Sequence, residues 1–388
     1  MKSRLLGILV LLLAISNVNA TDLIVEEYGA PSTYSSISAA ITAATSGDRV
    51  IVKNRAGQLP WIEDLSINKS LTLMSGQEDS TFLLDGSITI VQAQNREVSI
   101  IGAHILNSKS ITTSGSAIPV RSMEIKLYNC SGFNNSAVNI VLDVHATIVG
   151  CDFDHVNLKT GDLFGNKFTK LAIVNSSSST TVLDTCYMIG NIIEGYNSNT
   201  QSFEYTTDDE LLIMKNNKIR NSYSNNCIGM LTTINNSETH QIYNNTIDVN
   251  SSSYSNSMAL KIYGTTTFEV VNNIIKGTSG YAIKDQGGYA TINAFYNYLD
   301  GSVVGVENNL QQVASETTPD TGNPAVVFTD TDLTRNDIGY TGGPYPISNY
   351  FESNFELKLG STTIFFVQHS IFISQSSAFN IKAFSYDK

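Results

Sequence analysis

The sequence predicts an all-β chain, a solenoid of the parallel β-helix type, on three observations. The first is a phrase that keeps returning: a small or polar residue, then Asn, a variable residue and a large apolar one. It reads Gly165-Asn166-Lys167-Phe168, Gly190-Asn191-Ile192-Ile193, Asn216-Asn217-Lys218-Ile219, Asn244-Asn245-Thr246-Ile247, Asn272-Asn273-Ile274-Ile275 and Tyr296-Asn297-Tyr298-Leu299. The interval is 24 to 28 residues, the period of stacked supersecondary units. The second observation is a series of short segments rich in β-branched residues, alternating apolar and polar. The third is the Ser/Asn/Thr/Gly character of the stretches between them, such as 176–181, 197–202 and 250–257. In a solenoid these leave successive coils as loops.

The chain opens on an address. Lys2 and Arg4 precede an apolar run, Leu5 to Ile15, and Val18-Asn19-Ala20 ends in a small residue. This pattern predicts a secretory signal peptide over 1–20. The run is well short of the roughly 18–20 residues that cross a bilayer, and no later stretch is long and apolar enough, so no membrane span is expected in the mature chain. The expected location is outside the cell or on its surface.

The first strand is expected at 22–27. Ser35 or Ser36 then suits a helix N-cap, and Ile37, Ala40, Ile41 and Ala44 share one helical face. A solenoid end exposes its core and unpaired backbone groups, which gives this amphipathic helix a capping role. Gly47-Asp48 turns the chain into Arg49-Val50-Ile51-Val52. Further strands are expected at 65–67, 71–74, 82–84, 87–91, 98–101 and 123–127.

The residues 34–41, 47–52 and 63–73 resemble the opening of secreted right-handed parallel β-helix proteins of the pectate-lyase-like superfamily. The likeness extends through the Asn column to about residue 345. It implies a right-handed helix over 21–345 and a polysaccharide partner. It also implies a lyase reaction in which Lys or Arg abstracts a proton beside a uronate carboxylate, with Ca2+ as the candidate cofactor.

Two roles are expected of the Asn column. Asn tolerates left-handed backbone, and stacked amides bond from coil to coil. The apolar column that follows is Phe153, Phe168, Ile193, Ile219, Ile247, Ile275 and Leu299, expected to fill the core. Cys130 and Cys151 occupy the Asn column one coil apart, either as buried thiols or as a disulfide between neighbouring coils. Beyond Leu299 the pattern decays through Pro319 and Pro324. Residues 336–344 resemble a closing phrase, and 346–388 is expected to form a C-terminal β cap or appendage, with strands near 355–359, 363–367 and 371–373.

A formal net charge of −12 argues against nucleic acid, which would repel the chain. No Gly-x-Ser-x-Gly elbow, phosphate loop or His-Glu-x-x-His occurs. No motif assigns catalytic residues, and no catalytic or metal-binding residue is named from the sequence. The acidic group Glu204, Asp208, Asp209 and Glu210, beside Lys215, Lys218 and Arg220, is the candidate for Ca2+ against a solvated loop. Asp143, His145, Asp152, Asp154 and His155 are the candidate for acid–base chemistry against ordinary sheet decoration. Tyr187, Tyr196, Tyr205, Tyr223, Tyr243, Tyr254, Tyr263, Tyr281 and Tyr289 form a sugar-stacking platform only where several face outward. A monomer is expected. The functional expectation is a β-helix that binds or processes an extracellular polysaccharide, and its rival is a non-catalytic structural or adhesive rod.

Overall fold

In the computed structural model the described residues are 20–77, 80–132, 139–175, 184–195, 201–207, 210–222, 226–232, 239–249, 257–306, 311–358, 363–369 and 381–386. The proposed signal peptide therefore lies outside them, save Ala20. All strands up to Gln312 pair in parallel, each residue with its equivalent one coil away. The chain is a parallel β-helix, as the repeat and the resemblance predict.

Three sheets run along the solenoid. Sheet I precedes the Asn turn and includes Arg49–Val52, Leu71–Ser75, Glu97–Ile101, Glu124–Tyr128, Asp184–Ile189, Glu210–Lys215, Thr239–Tyr243 and Thr267–Val271. Sheet II follows it, with Phe82–Leu84, Ala103–Ile105, Ile192–Gly195, Lys218–Asn221 and Thr246–Val249. Sheet III closes each coil, with Ile88–Val91, Ile111–Ser114, Phe203–Thr207, Asn226–Thr232 and Met258–Gly264. Long strands such as Asp152–Phe164 and Thr291–Val304 pass from one sheet to the next.

Alternation sends every second side chain inward. Leu73, Ile100, Leu127, Ile148, Met188, Met214 and Ile242 are fully buried on sheet I. The predicted apolar column stacks in register, Phe153 on Phe168, then Ile193, Ile219, Ile247, Ile275 and Leu299.

The two roles expected of Asn fall on two neighbouring columns. The left-handed backbone belongs to the residue before the ladder. Asn129, Gly150, Gly165, Gly190, Asn216, Asn244, Asn272 and Tyr296 have φ between 49° and 67°. The ladder residues lie inside. The Asn166 amide Nδ2 donates to Asn191 Oδ1 at 2.9 Å, and the same bond recurs from Asn191 to Asn217, Asn217 to Asn245, Asn245 to Asn273 and Asn273 to Asn297. Each Oδ1 also accepts the backbone N–H of the Asn before it. Cys151 N–H extends the file to Asn166 Oδ1, and Cys130 N–H reaches Cys151 Sγ. All four cysteines are buried and unbridged, so this pair is two thiols.

The helix α1, Ile37–Ala43, forms where expected. Ser36 Oγ accepts from Ala39 N–H, while the Glu63 carboxylate accepts from Ile37 and Ser38. That is where a helix start favours negative charge. Lys69 Nζ bonds the Ala44 carbonyl at the other end. Ile37, Ala40 and Ile41 are buried against the first coils.

After Gln312 the chain turns back along the outside of the left-handed turns. Asn323 N–H bonds Asn272 Oδ1; Asn244 Nδ2 bonds Asn336 Oδ1 and Asp337 O; Asn216 Nδ2 bonds Tyr340 O and Gly342 O. Tyr350 lies flat over Gly165 and Gly190. This strap buries a second apolar cluster outside the solenoid, with Phe164, Tyr187, Ile189 and Ile213 meeting Ile347, Tyr350 and Phe351. Thr363–His369 and Ile381–Tyr386 pair as an antiparallel hairpin, whereas 371–373 lies outside the described residues.

Candidate functional site

Outward positions on sheet I are largely occupied by bonds within the protein. His145 is buried and its Nε2 lies 3.5 Å from Asp162 Oδ2. The register slips between Leu142 and His145, so His145 turns to Asp162 while Asp143 stands exposed at the corner between sheets III and I. Glu210 is buried, accepts from Thr160 Oγ1 and lies 3.6 Å from the Arg121 guanidinium. Arg121 also donates to the Thr185 carbonyl at 2.8 Å.

The other candidate acids and bases scatter. Asp152 begins a sheet II strand; burial pushes its carboxyl up to about 6, opposed by Lys167 and reinforced by Asp154. Asp154 accepts from Thr169 Oγ1. His155 is lowered by burial and by Lys170, with Asp154 opposing. Glu204 pairs with Ala172 and Gly229 in sheet III. Lys215 keeps some solvent contact, yet its amine is densely surrounded. Burial pushes it down to about 8, and it lies 5.3 Å from the Tyr243 ring. Lys218 pairs with Glu194 at 3.0 Å and sits over Phe355. Asp208 and Asp209 lie outside the described residues. Among the described residues no group of three or more His, Cys, Asp or Glu is placed to hold a metal ion.

Sheet II carries a row of alternating charge that the sequence reading missed. Glu194, Arg220, Asp248, Lys276 and Asp300 stand side by side on consecutive strands. The strands are about 4.8 Å apart, so each charge has an opposite one on the next strand, and the three acids are further offset by Lys218, which pairs with Glu194.

The tyrosines divide. Tyr187 lies under the strap, Tyr205 is fully buried and donates to Glu210 O, and Tyr243 donates to Glu269. Tyr196, Tyr223 and Tyr254 lie outside the described residues. Two face solvent: Tyr263 is 46% exposed and Tyr289 72%. Both rings close on Gly287, where an added Cβ would sit 3.2 Å from Tyr289 and 3.3 Å from Tyr263. Asp285 builds the turn that carries Tyr289, accepting from Gly287 N–H and Ala290 N–H. Lys261 and Lys284 flank the pair on adjacent strands of sheet III, and Lys284 Nζ lies 4.4 Å from the Tyr281 ring. The 23-residue step between these lysines is a coil period; aligning coils rather than motifs would have found them.

A separate cleft of about 430 Å³ opens at the corner between sheets III and I, lower in the solenoid. Gln92, Thr113, Ser114, Asp143, Lys159 and Asn175 supply its polar lining, and Ala117, Ile118 and Val120 its apolar wall.

No protein-family model and no curated protein matches the chain. Among solved structures, the crystal structure of pectate lyase Pel9A aligns with 84% of this chain and 97% of its own, at 12% identity and a TM-score of 0.43.

Proposed function

We propose that the protein is exported and binds an extracellular polysaccharide on the platform of Tyr263 and Tyr289. The observation that carries this is the pair of exposed rings over Gly287. Aromatic rings offer a large rigid apolar face with a polar tip, suited to the C–H face of a pyranose whose hydroxyls remain wet. Glycine at 287 leaves the space between the rings open. Lys261 and Lys284 place two cations beside it and favour an acidic sugar despite the negative net charge of the chain.

The finer possibility, β-elimination, needs a base at the sugar. Lys215 has the lowered basicity such a role uses, but it stands on sheet I, flanked by Tyr243 and next to Asn216, on which the strap docks. The proposal is therefore binding. Export rests on Lys2, Arg4 and the apolar run that follows; a mature N-terminus at Thr21 in the culture medium is its check.

Retention in affinity gels containing acidic polysaccharides tests the platform. Tyr263→Ala with Tyr289→Ala should weaken retention about tenfold or more, as losing two aromatic anchors does elsewhere. Unchanged retention defeats the proposal. Absorbance from unsaturated products in the same samples reports any elimination. A structural rod is favoured by one observation, the unbroken Asn ladder. That reading prevails if no polysaccharide is retained by the native protein.

A further inference from the structure

The cleft at the corner between sheets III and I shares no residue with the tyrosine platform. It is built before any ligand arrives. Gln92 N–H bonds Ser114 O where the wall loop begins, and Asn95 N–H to Ser122 O, Ser122 N–H to Pro119 O and Glu124 N–H to Arg96 O hold it where it ends. Arg121, next to the lining residue Val120, fastens that loop to Thr185 O and Glu210. Asp143 N–H bonds Thr113 Oγ1 and locks the floor. A pre-formed polar cleft with an apolar wall loses little entropy on binding.

Its charges decide what it takes. Among the described residues, one carboxylate, Asp143, and one ammonium, Lys159, line it. Two arginines stand next to lining residues in sequence or by contact, and both are engaged: Arg121 faces Glu210, and Arg96 donates to Val91 O. An acidic ligand would meet Asp143, and a basic one Lys159, with nothing left over to offset a net charge. The remaining lining donates and accepts through hydroxyls and amides. Gln92 is among the lining residues, and its Oε1 has no hydrogen-bond partner within the protein. Ile118 and Val120 present an apolar wall to the other side of the ligand.

We infer that this cleft is a binding site for an uncharged saccharide unit, held by Asp143, Lys159 and Gln92 against Ile118 and Val120. This goes beyond the proposed polysaccharide platform and does not depend on it.

Calorimetric titration of the full chain with neutral gluco-, manno-, galacto- and xylo-oligosaccharides, and with oligouronates, tests it. At least one neutral ligand should bind. Asp143→Ala and Lys159→Ala should each weaken that binding about tenfold, and Tyr263→Ala with Tyr289→Ala should leave it unchanged. Asp143→Asn should also admit oligouronates, with an affinity that falls as salt rises. Melting temperatures should not move, since Asp143 is exposed and Lys159 half-buried. The inference is overturned if no neutral ligand binds, if neutral binding ignores the Asp143 and Lys159 substitutions, or if the native cleft prefers oligouronates. Polymer retention that is lost only with the tyrosines would then leave the platform standing alone. Neutral binding with intact tyrosine-independent retention would do the reverse.

Discussion

Asn217 stands inside the ladder and uses nearly all of its hydrogen-bonding capacity. Its Oδ1 accepts from Asn191 N–H and Nδ2, and its Nδ2 donates to Asn245 Oδ1, Met188 O and Lys215 O. All but the Lys215 carbonyl are remote from water, so Asn217→Ala strands several at once. A loss of roughly 3–5 kcal/mol is expected from chemical unfolding. A loss below about 1 kcal/mol would mean that the ladder is ornament. The ladder was legible because its spacing is regular. Its separation from the left-handed column was not, since Asn suits both tasks and a one-residue offset decides which it performs.

His240 is the opposite case, a residue with no motif or period around it to mark it. Coil spacing puts it in register with Phe268 on sheet I, facing inward. Its ring stacks on Phe268, and Nδ1 accepts from Leu212 N–H at 3.0 Å. Burial pushes its pKa down to about 4. The unfolded chain takes a proton near 6.5 and the folded chain resists until about 4. Stability from this group is therefore present above 6.5 and falls as the pH drops through that window, by up to about 3 kcal/mol. Asp152 acts in the other direction, because its raised pKa makes the folded chain the better proton acceptor between about 6 and 3.8. His240→Phe should remove the largest part of the acid-side loss, leaving the shares of His104 and His155, whose pKa values burial also lowers, against the gain from Asp152. Melting curves from pH 7 to 4 separate the two; an unchanged slope in the variant would refute the assignment.

Among elements, α1 was legible from its cap and its apolar face, and the strap was not. Phe164, Ile189 and Ile213 sit in no local pattern that names their cover, and Tyr187 is in sequence a candidate for the sugar-stacking platform. Their cover is a segment more than a hundred residues later. What guides it is the side chain of the left-handed column: amides at Asn216, Asn244 and Asn272 bond the strap, and bare glycines at 165 and 190 admit Tyr350. A Cβ at Gly190 would lie 2.1 Å from Tyr350 Cε2, and φ there is 67°. Gly190→Ala should cost at least about 2 kcal/mol through backbone and clash together, and should release the strap. Limited proteolysis near Tyr350 reads the release; native resistance in the variant would show that the ring can move aside.

At the scale of the molecule, each coil touches only its neighbours, so stability adds along the axis, and whatever crosses several coils couples them. The Asn ladder does this inside, the alternating charges do it on sheet II, and the strap does it outside. The first is written in sequence as a period. The charged row is written as one residue per coil, and the strap as no local pattern at all, which is why the site-bearing surface was harder to foresee than the fold. The strap's contribution can be isolated by ending the chain after Gln312. The strands up to that point keep their parallel partners, so the far-ultraviolet β signal should persist. Phe164, Tyr187, Ile189, Ile192 and Ile213 would lose Ile347, Tyr350 and Phe351 and form one continuous apolar band along the solenoid. Bands of this kind seek a partner. The shortened protein should melt several degrees lower and sediment as larger species than the full chain does under the same conditions. A shortened chain that keeps the sedimentation behaviour and melting temperature of the full chain would show that the coils hold without their strap.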